Sequence, residues 1–433
     1  MKQSAFLPLI FLIALFTACS DSDDEEFSFT AYSPAYCDYI SEKALQILPA
    51  MYLTTDDGEA ITSKTEYKHG TLMIDAPMSE PLWNLDTVEV NIRGRGNSTW
   101  LAPKKPLRIK LSRKYSLLGM PSNRDWVLLA NWFDRSMLRT PAAFFLGQHS
   151  CLEWTPHGEF IELYLNGEYQ GFYYLCEAIE IAKSRLNVPD NTFLLEVENF
   201  GKYSDNEIWF NGSYNTFVVK EPHVVGGDAA YNYVQAFIIA FEDCLISNNW
   251  LDEEQGYAKY IDMPTFVDWY LINEILKNTD ATFYSSCFMY VTPGEPLKMG
   301  PLWDFDLSVG STSNPAVEGF SGFWVNKGSW YYRLCQDEAF MRLVRERFDY
   351  FKDLMPELFA YINAQACEID TGIAHNEILW HNLERKDSWV PMYGTFEREV
   401  QAIQGFLRQR VEWLDENLPR FDDADVPMMT AKH

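Results

Sequence analysis

A chain of 433 residues that is 47% hydrophobic and 15% aromatic carries too many core-forming side chains to be disordered over most of its length. Its formal net charge of −27 excludes a general phosphate-neutralising surface, so no nucleic acid polymer is expected as a partner. The same acidity argues against adhesion of the folded surface to anionic lipid.

The apolar run from Phe6 to Phe16 follows Lys2. It is shorter than the roughly 20 residues a spanning helix needs and has the length of a signal-peptide core. It ends in Phe16-Thr17-Ala18-Cys19. Small residues directly before a cysteine look like a bacterial lipoprotein cleavage site. Residues 1–18 therefore read as a signal peptide and Cys19 as the lipidated first residue of an exported lipoprotein. Residues 19–28, with the acidic run Ser20 to Glu26, cannot bury a core and read as a solvated tether. Membrane attachment is expected through lipid on Cys19, at the outer membrane. The acidic residues after that cysteine resemble surface-export signals, which implies exposure on the cell surface. None of the eight cysteines forms a CxxC pair, which disfavours a zinc ribbon or a thioredoxin-type site. Without Cys19 the number is odd, so at least one thiol is left free, and apolar neighbours such as Leu175 beside Cys176 point to buried, inert thiols.

Residues 29–86 are expected to form a small β-rich extension, with strands at Ala50 to Thr55 and Gly70 to Ile74. From residue 87 a larger domain begins. Val88 to Ile92 and Leu107 to Leu111 alternate apolar and polar, as half-buried strands do. Trp126 to Ala130 is a further apolar run. Asp134 can cap a helix from Arg135 to Gly147, although Pro141 argues for a kink or for a start nearer Thr140. Phe160 to Leu165 and Gly171 to Leu175 predict a hairpin about Asn166-Gly167. After about residue 230 the spacing becomes helical, over Tyr231 to Ile246, Pro264 to Leu276, Glu338 to Leu354, Glu357 to Cys367 and Glu397 to Leu418. A β-rich half before a helix-rich half predicts an α+β fold of two lobes with a cleft between them.

Three constellations carry chemistry. Arg93-Gly94-Arg95-Gly96-Asn97-Ser98-Thr99-Trp100 lies between two predicted strands. Its glycines allow close backbone approach, and exposed N–H groups can cradle phosphates; the plain alternative is a hairpin turn with basic ends. Lys104-Lys105-Pro106-Leu107-Arg108-Ile109-Lys110 follows. With Arg93 and Arg95 its cations form a basic island in an acidic chain, which suggests an anionic ligand. The third is sharper. A helix ends near Asn278, Thr279-Asp280 follows, and a hairpin about Pro293-Gly294 returns the chain to Trp303-Asp304-Phe305-Asp306. That path places Asp280 near Asp304. Carboxylates gathered at one mouth are costly unless a cation neutralises them, and a hard divalent ion that bridges substrate phosphates fits.

These segments resemble the CotH-like kinases, the spore coat protein H type of atypical protein kinase. The resemblance rests on residues 93–100 and 105–111, on Trp126 to Ser136 and Tyr164 to Tyr173, and on Asn278-Thr279-Asp280 and Trp303-Asp304-Phe305-Asp306. It covers about half the chain. It implies a two-lobed kinase-like fold over residues 87–425, with an N-lobe to about 178 and a C-lobe from 179. It also implies transfer of the γ-phosphoryl of ATP, with Mg²⁺ or Mn²⁺, to Ser or Thr of a protein acceptor. Carried over by position, Asp280 is the catalytic group, and Asp304 and Asp306 hold the metal. Gly94, Gly96, Asn97 and Ser98 cover the phosphates, with Lys105 or Lys110 as the phosphate-binding lysine.

Two departures stand out. No Asn follows Asp280 within Ala281 to Ser286, where kinases carry a metal ligand. The helix after Asp134 has no Glu to pair a strand lysine, so Glu162 or Glu177 is the expected substitute. Either departure fits weak activity, another acceptor or an inactive kinase. Because an exported protein meets little ATP, two rival readings stand beside the first. One is a surface binding module on a degenerate kinase fold. The other is a glycan hydrolase using paired carboxylates, with Trp100, Trp132, Trp303 and Trp324 as stacking platforms; the basic island weighs against a neutral sugar. The histidines show no HExxH spacing, and no GxSxG elbow appears. A monomer is expected.

Overall fold

The structure, a computed structural model, describes residues 31–32 and 48–421 apart from 78, 200, 202 and 204–206. The expected signal peptide (1–18), tether (19–28) and lipidated Cys19 lie outside the described residues.

Seven strands close into a barrel in the order β1-β2-β3-β4-β5-β7-β6. They are β1 (Ala50–Thr55), β2 (Lys68–Asp75), β3 (Leu85–Gly94), β4 (Leu107–Tyr115), β5 (Asn123–Leu129), β6 (Gly158–Leu165) and β7 (Glu168–Glu177). The period-two pattern explains the wall. Leu107, Ile109 and Leu111 are buried with Met51, Leu53, Leu72, Val90, Ile92, Leu128, Ile161 and Leu163, while Arg108 and Lys110 take the alternate face. The hairpin turn Asn166-Gly167 has both residues at positive φ, 52° and 82°, as the right-handed strand twist favours. β6 runs parallel to β1 and completes the closure.

This corrects the expected division of the chain. The described part of the expected extension does not stand apart: β1 and β2 are two of the seven staves, and a boundary at residue 86 would cut β3. Closure explains it, since a sheet lacking β1 would expose the edges of β2 and β6.

A second, antiparallel sheet has the order β12-β11-β8-β10-β9. Its strands are β8 (Phe193–Glu198), β9 (Ile208–Asn211), β10 (Thr216–Glu221), β11 (Ser285–Val291) and the short β12 (Lys298–Met299). Around it pack α3 (Ala229–Ile246), α4 (Met263–Ile275), α5 (Ser329–Leu334), α6 (Glu338–Asp353), α7 (Met355–Trp380) and α8 (Phe396–Asn417). Two shorter helices, α1 (Ser98–Leu101) and α2 (Arg139–Gln148), precede them in the chain. The fold is thus α+β, and its larger core is built from the helices and the second sheet. Among the described residues no helix is long and apolar enough to cross a membrane.

Helix α2 begins at Arg139, not Arg135, which puts Pro141 in its first turn. Asp134 is not its cap. Its buried carboxylate accepts from the backbone N–H of Ser136 (3.1 Å) and of Arg139 (2.9 Å), and from the Arg139 guanidinium (2.6 Å). Asp228 and Asp262 do cap, accepting from Tyr231 N and Thr265 N at the starts of α3 and α4. Cys151, Cys176, Cys244, Cys287 and Cys335 are free thiols, and Cys367 is disulfide-bonded. Burial pushes the Cys176 thiol up to about 12, so it is inert at neutral pH.

Candidate functional site

A cleft of about 570 Å³ opens between the barrel and the second sheet. Its walls include Arg93 near the end of β3, Arg95, Gly96 and Asn97 from the turn that follows, Ser98 and Thr99 from α1, and Lys220 from β10. Asp280, Asp304 and Asp306 line the same space, so the three aspartates singled out in the sequence do converge.

Asp280 sits in a 3₁₀ turn, Thr279–Thr282, after α4. The turn is held from several sides. Asn278 accepts from the backbone N–H of Asp280 at 3.4 Å. Thr279 Oγ1 donates to Leu307 O at 2.5 Å, and Trp324 Nε1 donates to Thr279 O at 3.1 Å. The first of these bonds ties the Asp280 turn directly to the segment carrying Asp304 and Asp306. Asp304 lies at φ 65°, in the left-handed region, and its Oδ2 accepts from Ser286 Oγ at 3.1 Å. Asp306 lies deep beside the cleft. Burial, followed by the charges of Asp304, Asp280 and Asp134, pushes its carboxyl well above the usual range, against the pull of Arg95. Among the described residues, no group of three or more His, Cys, Asp or Glu side chains is placed to hold a metal ion. Protein side chains alone therefore do not form a cation site here, and a hard divalent ion would have to take its remaining ligands from substrate oxygens and water.

Of the expected basic island, Arg93, Arg95 and Arg108 line the cleft, and Lys220 joins them. The guanidinium of Arg95 stands 5.4 Å over the Trp303 ring; burial lowers its pKa and the charge of Asp304 works the other way. Lys220 Nζ pairs with Glu207 at 2.7 Å and Glu196 at 3.1 Å. Burial works against its charge, but the two carboxylates outweigh burial and raise its pKa. Arg108 is held by Asp125 through Nη2 (2.9 Å) and Nε (3.1 Å).

Several expected roles are corrected. Lys105 turns away from the cleft and donates to Trp100 O at 2.7 Å. Lys110 is 44% exposed and stands 3.5 Å from Asp125; neither lysine lines the cleft. Gly94 is buried against Trp100, whose ring would lie 2.2 Å from an added Cβ, so this glycine serves packing and not phosphate approach. Gly96 lies at φ 85°, and an added Cβ would fall 2.2 Å from Thr99 Oγ1, so the turn requires glycine there. Neither substitute glutamate pairs with a lysine. Glu162 accepts from Tyr169 and His375, and Glu177 from Arg185 and the backbone of His157.

Sequence reading passed over Lys220 altogether. Its only signal was a single cation at the end of the otherwise apolar run Phe217-Val218-Val219. Which carboxylates it meets depends on pairing across β8, β9 and β10, and that pairing is not a local property.

A family model described as CotH kinase protein matches residues 92–414. The chain belongs to the CotH kinase family. The match begins inside β3 and ends within α8, so it takes in the turn at 94–99, Lys220, Asp280, Asp304 and Asp306. Strands β1 and β2 lie before it, although they complete the barrel of this CotH kinase family member. No curated protein matches the chain in sequence.

Proposed function

We propose that the protein transfers the γ-phosphoryl group of ATP, with Mg²⁺ or Mn²⁺, to a Ser or Thr hydroxyl of a protein acceptor. The observation that carries the proposal is one cleft in which Asp280, Asp304 and Asp306 stand with Arg95, Arg108 and Lys220. Phosphoryl transfer needs positioning and charge neutralisation more than covalent help, and this cleft supplies both. Asp304 and Asp306 would hold the divalent ion, which neutralises and bridges phosphoryl oxygens when bound. Arg95 and Lys220 bind phosphate oxygens, and the turn from Gly96 to Ser98 closes over them. Asp280 orients the acceptor hydroxyl and takes its proton. The Lys220–Glu196 pair serves as the lysine–glutamate pair of kinases, drawn from two neighbouring strands of one sheet. The barrel and the helical body act as the two lobes of a kinase-like arrangement. The cations of the cleft weigh against a neutral glycan as its ligand.

The proposal extends to place. Cys19 is read as the lipid anchor of an exported lipoprotein on the outer membrane, facing the cell surface, and the disulfide at Cys367 is in keeping with an oxidising compartment.

Thermal unfolding of the chain without its signal peptide tests the chemistry. ATP and metal together should raise stability, by about 2.7 kcal/mol at one hundred times the dissociation constant, while either alone does much less. Asp304→Asn should lose the combined shift. Asp280→Asn should keep it and lose transfer to a Ser/Thr acceptor. No shift in the wild type at millimolar ATP and metal would overturn the reading in favour of a surface binding module.

A further inference from the structure

We infer that Asn131 is a nucleotide-binding residue, its side-chain amide donating to a phosphoryl oxygen of the substrate held in the cleft. This rests on the phosphotransfer reading and deepens it.

Asn131 lines the cleft, yet it is only 8% exposed. Its Nδ2 is sealed from solvent and has no hydrogen-bond partner. A buried amide donor without an acceptor is costly, and such groups are rare enough to require an explanation. The residue lies at φ 51°, in the left-handed region, where Asn, Asp and Gly are the residues tolerated at least cost.

Chain connectivity places Asn131 at the phosphate end of the cleft. It lies two residues beyond Leu129, the last residue of β5. Leu128 of β5 pairs with Leu107 of β4, which pairs in turn with Gly94 of β3. The strands therefore lead out together toward the turn at Arg95 to Thr99, whose Arg95 N–H donates to Pro106 O at 3.1 Å. On the other side, the residues just after Asn131 are bonded to the segment after Asp306. Ser311 Oγ donates to Phe133 O at 3.3 Å, and Arg139 Nε donates to Ser308 O at 3.0 Å. Asn131 thus lies between the glycine turn and the aspartates, where the phosphates of a nucleotide would sit. A neutral donor there can meet phosphate oxygens without adding to the crowded negative charge or competing for the cation.

The test compares wild type, Asn131→Gly and Asn131→Asp by thermal shift, each with ATP plus Mg²⁺ and with adenosine alone. Both variants suit the backbone conformation, so folding is preserved, and the metal-free, ligand-free midpoint checks this. Asn131→Gly should weaken ATP–Mg²⁺ by roughly 10-fold, as loss of a hydrogen bond to a charged group does, and leave adenosine binding unchanged. Asn131→Asp should weaken ATP–Mg²⁺ further, by placing a carboxylate against phosphate. Equal losses for ATP and adenosine would place Asn131 at the base or ribose and overturn the inference. Unchanged ATP–Mg²⁺ binding in both variants would make the residue structural and also overturn it. A wild type that ignores ATP and metal would overturn the phosphotransfer reading itself, which separates the two failures.

Discussion

Glu159 on β6 does not line the cleft, yet its titration is strongly shifted. Burial, with smaller contributions from Glu368 and Glu80, pushes its carboxyl up to about 8. An unfolded glutamate titrates near 4.3. Between those values the native state holds a proton that the unfolded state has lost, so the contribution of Glu159 to stability is present at low pH and falls as pH rises through the window. Glu159→Gln should therefore be more stable than wild type at pH 8, by roughly 1–3 kcal/mol because partial solvent contact screens the full linkage value, and should match it near pH 4, where the wild-type carboxyl keeps its proton. Equal midpoints at pH 8 would show that Glu159 is already ionised there without cost. The same residue-by-residue view explains what the candidate site revealed beforehand. Asp280, Asp304 and Asp306 were legible because a short hairpin returns the chain to its start, so sequence distance misleads little. Lys105 misled because it precedes β4 and its ammonium turns to Trp100 O, and Lys110 because it shares the face of Arg108 but lies two residues further along β4, against Asp125 and outside the cleft. Asn131 gave no sign, since an unpartnered amide exists only relative to a packed environment.

At the scale of elements, the barrel was visible as strands but not as a closed object. Alternation marked β3 and β4, and Asn166-Gly167 marked the β6–β7 hairpin. The pairing of β1 with β6, Ala50 opposite Glu162 and Leu53 opposite Leu165, joins residues more than a hundred positions apart, and no local pattern announces it. In the second sheet β11 was legible in the hairpin about Pro293-Gly294, but β8, β9 and β10 were hidden: they are short, and much of β8 and β10 is buried, so their runs lack the alternation that marks a half-exposed strand. Closure has a measurable consequence. Leu53 is 1% exposed within the barrel core, and Leu53→Ala should cost about 2–5 kcal/mol in urea unfolding. A chain begun at residue 87 loses both staves and should give no cooperative transition. A sharp unfolding curve with a wild-type midpoint from that shorter chain would show the barrel wall to be dispensable.

Across the whole molecule, the Asp280 turn is supported by the last helix. Glu274, near the end of α4, and Arg410, on α8, form an ion pair in which both side chains are fully buried. Glu274 also accepts from the backbone N–H groups of Trp324 and Val325, both at 2.7 Å. Arg410 donates back to Glu274 O at 3.0 Å, Phe320 O at 2.7 Å and Gly322 O at 2.9 Å. Lys277 adds bonds of 2.6 Å to Gly319 O and Ser321 O. One knot thus joins α4, α8 and the loop at 319–325, with Glu274 five residues and Lys277 two residues ahead of Thr279. Removing one partner strands a buried charge, which costs about 3–5 kcal/mol, whereas replacing both with apolar residues of similar size can be nearly neutral. Glu274→Ala should accordingly lower the urea midpoint sharply. The double variant Glu274→Leu, Arg410→Met should recover part of that loss in stability, but it cannot restore the bonds to the 319–325 loop. If the knot positions the Asp280 turn, the double variant should still bind ATP and metal through Asp304 while its transfer rate falls. Wild-type transfer from a stable double variant would show that the pair serves folding alone.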